Sequence, residues 1–70
     1  MSKYTILYTD MVSEDWSCWV KTDIIPLTGE TVNLPNESNG KVLFTEHVYI
    51  KDKNEFIVLD HLVIYLDWSV

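Results

Sequence analysis

The stretch KVLFTEHVYIKDKNEFIVLDHLVIYLDW, Lys41 to Trp68, decides the fold. It reads as two long β-strands around a short polar turn, Lys51-Asp52-Lys53-Asn54. The second strand, Glu55 to Trp68, is apolar almost throughout and rich in β-branched and aromatic residues, which favour extended backbone. Strict alternation puts Phe56, Val58, Leu62, Ile64, Leu66 and Trp68 on one face, interrupted by Asp60. Ile57, Leu59, His61, Val63, Tyr65 and Asp67 fall on the other. A strand apolar on both sides must be covered on both sides. In the strand before it, Val42, Phe44, Val48 and Ile50 share one face, interrupted by Glu46. Leu43, Thr45, His47 and Tyr49 share the other.

Upstream, Lys3 to Thr9 alternates Tyr4, Ile6 and Tyr8 against Thr5, Leu7 and Thr9. Trp16 to Thr22 alternates Trp16, Cys18 and Val20 against Ser17, Trp19 and Lys21. The two runs suit an antiparallel hairpin. Asp10 to Trp16 between them is the best helical candidate, at about two turns. Pro26 ends regular pairing, Gly29 permits a turn with positive φ, and Thr31 to Leu34 forms a short strand with Val32 and Leu34 facing in. Asn39-Gly40 carries the strongest two-residue hairpin signal. The expectation is one all-β domain over residues 1–70. It is a small antiparallel barrel or strongly bent sheet of five to six strands, SH3-like or OB-like in size. Residues 55–68 form one strand, or two if they bend at Asp60-His61.

The run Pro26-Leu27-Thr28-Gly29-Glu30-Thr31-Val32-Asn33-Leu34, followed by a long hairpin, resembles a pattern of very small β-barrel accessory proteins of bacteriophages and mobile elements. The resemblance covers roughly residues 24–68. It implies a small accessory protein, phage-encoded, that acts on a host component. It carries over no functional residue.

Composition narrows the function. Eleven acidic residues face five lysines and no arginine, for a net charge of −6. Phosphate neutralisation needs clustered basic residues, so direct nucleic-acid binding is not expected. A single cysteine, Cys18, excludes an internal disulfide and multi-cysteine zinc sites. Met1-Ser2-Lys3-Tyr4 lacks an apolar h-region and a cleavage site, and no apolar run spans a bilayer. The expected location is the cytoplasm (the host's, for a phage protein), with no membrane partner.

Catalysis is not expected either. The carboxylates Asp10, Glu14, Asp15, Glu30, Glu37 and Glu46 read as solvated charges rather than an acid–base pair. Cys18, between two tryptophans in an acidic chain, has no activating surroundings. His47 and His61 approach across the last hairpin, but their neighbours Glu46 and Asp60 point to the opposite faces. No metal and no cofactor are therefore expected.

The aromatics carry the functional reading. Trp16 and Trp19 lie three apart and face opposite sides of a strand, so one of them is available to a partner. The expected contact surface is Trp16, Trp19 and Tyr49, rimmed by Glu14, Asp15 and Lys21. The expected function is non-catalytic: a binding protein that inhibits or sequesters a host factor. One alternative is an oligomer that traps a small nucleotide signal between protomers, with Lys21 or Lys41 near phosphate. Another is a structural subunit of a particle. Homo-oligomerisation is expected, because 70 residues cannot wrap a strand apolar on both faces.

Overall fold

A computed structural model describes residues 2–11, 16–35 and 38–67. These residues form five strands and no helix: β1 Tyr4–Asp10, β2 Ser17–Thr22, β3 Thr31–Leu34, β4 Ser38–Lys51 and β5 Ile57–Asp67. The sheet order is β2-β1-β5-β4-β3. Neighbours pair antiparallel except β1 and β5, which run parallel, Ile6 opposite Leu62 and Tyr8 opposite Ile64.

The all-β reading with five strands holds. The antiparallel barrel does not: the sheet is mixed and open, with β2 and β3 as free edges. The reason lies in β5. A meander would leave this strand at an edge, with its apolar flank wet. Pairing with β1 places it at the centre instead. The chain must then cross from edge to edge, and residues 23–30 do so over one face.

That crossed face is the core. Ile6, Leu62, Ile64 and Leu66 are 0% exposed, with Tyr8, Val42 and Leu34 buried beside them. Ile25 of the crossover packs against this cluster, as do Tyr4, Trp16, Val20 and Val32. Each fully buried aliphatic side chain contributes about 1.5–3 kcal/mol over its exposed state. Gly29 ends the crossover with φ of 94°, as expected from its turn. Glu30 N–H donates to Leu27 O at 3.0 Å, closing the turn. Gly29 N–H and Val42 N–H then exchange bonds with Val42 O and Glu30 O, docking the crossover on β4.

Three local readings need correction. Asn39-Gly40 is no turn: it lies inside β4, opposite Asn33 and Val32, and the chain reverses between Leu34 and Ser38. Pro35, with its preset φ, begins that reversal instead. Gly40 is buried, opposite Val32. The last turn is longer than Lys51 to Asn54, since Lys51 still pairs with Ile57. Asp52 organises it, its Oδ1 accepting from Asn54 N–H at 2.8 Å and Phe56 N–H at 2.9 Å.

The third concerns parity. The β4–β5 register shifts between Val42 and Phe44 and between Val48 and Tyr49. Leu43 is the extra residue on β4 and Asp60 the extra residue on β5. Each bulge switches which alternate residues share a face. Val42 therefore lines the core while Phe44, Glu46, Val48 and Ile50 lie on the other side. Leu59 and Ile57 share the side of Leu62, and Val58 shares that of His61. β5 does not divide at Asp60; it is one strand with a bulge.

Before Leu62, β5 has no β1 neighbour, and β4 pairs with β3 only over Ser38–Lys41. The remaining β4–β5 ladder projects as a two-stranded arm. The molecule measures 44 × 25 × 19 Å, with a radius of gyration of 13.0 Å. A compact domain of this length has about 11 Å.

Candidate functional site

The face opposite the core is the candidate site. The registers place Leu7, Trp19, Val63, Tyr65, Phe44 and Val48 on it, from β2 across to β4. Among the described residues, no segment crosses it. Leu7 sits between Trp19 and Val63, so the apolar side chains form a continuous band.

Two ring pairs stiffen the band. Phe44 stacks on Tyr65 at 4.4 Å between centroids and 23° between planes. The Tyr65 hydroxyl donates to Glu46 Oε1, which fixes the phenol against its neighbour. Trp19 is 59% exposed and meets His61 edge to face at 5.2 Å and 71°. Asp60 Oδ2 lies 2.8 Å from His61 Nδ1. A carboxylate here can only accept, so the proton sits on Nδ1. Asp60 thus orients His61, which in turn supports the indole of Trp19. The expectation that Asp60 and His61 point apart fails because Asp60 is a bulge, where alternation breaks down.

The structure separates the side chains expected to form one surface. Trp19 and Lys21 share the open face. Trp16 packs at the edge of the core, on the other side. Tyr49 is 55% exposed, but it lies out on the arm, its ring near His47 at 6.5 Å. Glu14, Asp15 and Trp68 lie outside the described residues, as does most of Asp10 to Trp16. Leu7, Val63, Phe44 and Tyr65 belong to the open face, and nothing in their local sequence marks them for it. Which side of the sheet they occupy depends on the β1–β5 pairing and the Leu43 bulge.

The same registers constrain chemistry. His47 pairs with Leu62 and His61 with Val48, so the two imidazoles lie on opposite faces and cannot share an ion. Among the described residues no three His, Cys, Asp or Glu side chains converge as metal ligands. Cys18 lies opposite Tyr8 on the core side, away from His61. On that side His47 is three strand spacings distant, roughly 14 Å. Tyr8 is buried, and desolvation holds its phenol above the ordinary value of 10.0, so it stays neutral. No helix among the described residues is long and apolar enough to cross a membrane.

No protein-family model, curated protein or solved structure matches this chain.

Proposed function

We propose that this chain is a non-catalytic binding protein whose partner, a second protein, docks on the open face around Trp19. One observation carries the reading: an aromatic and aliphatic band spans β2, β1, β5 and β4 with no described segment over it. Contiguous apolar patches of this kind mark interaction sites. Trp19 has the properties of an anchor, being large, exposed and held by His61. Phe44 and Tyr65 are already stacked, so little rotamer freedom is lost on docking.

Charge suggests the partner's character. The molecule carries −6 overall, and Glu46, Asp60 and Asp67 border the band. A partner with an apolar centre and a basic rim would be steered toward it. Together with the resemblance to small accessory proteins of mobile elements, this makes a host factor, bound and inhibited in the cytoplasm, the preferred partner.

The test is capture from cell extract by immobilised wild type, then affinity measurements on the purified partner. Trp19→Ser should weaken binding by more than about tenfold, as truncating an interface tryptophan costs about 2 kcal/mol or more. Phe44→Ser should act in the same direction. Both variants should keep the wild-type circular dichroism spectrum. A partner held equally well by Trp19→Ser would show that the open face is not the binding surface.

A further inference from the structure

The β4–β5 arm is the least covered part of the molecule. Phe56 and Ile57 are 67% and 65% exposed, and Tyr49, Ile50, Val58 and Leu59 are exposed beside them. Alternation distributes these side chains over both sides of the ribbon, Tyr49, Leu59 and Ile57 on one, Ile50 and Val58 on the other. Beyond the central sheet, both long edges of the ribbon lack a neighbouring strand among the described residues. An isolated two-stranded ribbon is marginal in water, and an open apolar edge invites pairing. Neither property is expected of an arm that stays alone.

We propose that this arm is a self-association element, and that its occupant is the arm of a second copy of this chain, packed antiparallel about a two-fold axis. Area is the first argument. The accessible surface is 5214 Å², against about 4,500 Å² for a compact monomer of this mass. At their exposures the six arm side chains present on the order of 600 Å² of that surface. They divide between the two sides of the ribbon, so two arms packed through the side of Tyr49, Ile57 and Leu59 would remove about 700 Å² of apolar surface in total, the size of a weak, concentration-dependent interface.

Charge is the second argument. From His47 to Leu59 the ionised side chains are Lys51 and Lys53 against Asp52 and Glu55, a local balance of zero. The rest of the chain therefore carries the entire −6. Two copies repel each other everywhere except along their arms. A strongly basic partner would have no reason to choose this neutral element. Like charges on the bodies would hold the two open faces apart, leaving each available to its own partner. The inference does not depend on what binds those faces.

Sedimentation of the full chain over a concentration series rising into the millimolar range tests it. Wild type should show twice the 8.2 kDa chain mass. The double variant Phe56→Ser/Ile57→Lys should sediment as one chain, its dissociation constant raised by more than about tenfold. Both positions are exposed, so the fold should persist by circular dichroism. A second variant replaces residues 50–58 with Asn-Gly, closing the directly paired Tyr49 and Leu59 with a two-residue turn. It should also be monomeric. Trp19→Ser should remain dimeric. A monomeric wild type overturns the proposal, and co-sedimentation of that monomer with phosphatidylcholine vesicles would assign the arm to lipid instead. A dimer that survives both arm variants, or that is lost with Trp19→Ser, overturns it as well.

Discussion

At the scale of single residues, two positions have consequences that their exposure alone would not suggest. Glu55 adopts φ of 66° in the turn at the arm tip. That conformation crowds an L side chain and costs about 1–2 kcal/mol outside glycine. Glu55→Gly should therefore raise stability of the tip, by up to about 1 kcal/mol, measured by amide exchange of Asp52 to Ile57. Gly29, also at positive φ, already carries the residue its turn requires. Tyr8 acts through pH. Its folded phenol ionises above 10.0 because burial disfavours the anion. Between the unfolded and folded values the unfolded chain has lost a proton that the folded chain keeps. Stability therefore falls as pH rises through this window, by about 1.4 kcal/mol per pH unit. Below the unfolded value the contribution is fully present. Urea midpoints at rising alkaline pH should drop less steeply in Tyr8→Phe than in wild type.

At the scale of elements, the bulges decide where side chains go. Asp60 sits between the pairs Val48–His61 and Tyr49–Leu59. Removing it joins two pairs that already lie in register. Deletion of Asp60 should thus keep every β4–β5 partner and change melting temperature only slightly, while releasing His61 from its carboxylate. Deletion of Val63 should unfold the protein. It would move one side of β5 to the wrong face and drive Tyr65 toward the core in place of Ile64. Thermal circular dichroism separates the two outcomes. The same elements show what the sequence makes legible. The β1–β2 hairpin and β3 follow from alternation, a local property. So does the opposition of Trp16 and Trp19, three positions apart on an extended strand. The parallel β1–β5 ladder joins Ile6 to Leu62, and nothing near either residue announces it. Asp60 was visible as an interruption, but alternation alone could not distinguish a polar defect from an extra residue. The open face inherited both gaps, since Phe44 reaches it through the Leu43 bulge and Leu7 through β1 pairing.

At the scale of the whole molecule, stability is divided unevenly. The strands β1, β5 and β4 share the buried cluster of Ile6, Val42, Leu62, Ile64 and Leu66. Among the described residues the arm has only its own ladder and the Asp52 turn. A domain of this size gains only a few kcal/mol from its core, and the arm contributes little to that core. Opening of the arm should therefore be a local event, far below the free energy of global unfolding. This difference gives a dissection independent of mass measurements. In dilute protein, amides of Tyr49 to Leu59 should exchange quickly while those of Leu62 to Leu66 exchange slowly. If arms cover each other, protection of Tyr49 to Leu59 should grow with concentration, by about 15-fold once the total chain is at about 100 times its dissociation constant, where about 7% remains monomeric. Protection of Leu62 to Leu66 should rise only with global stability. Replacing residues 50–58 with Asn-Gly should abolish the concentration dependence and leave Leu62 to Leu66 slow, because the excised residues lie outside the buried cluster. Uniform protection along β5, independent of concentration, would mean that the arm is sheltered within one chain.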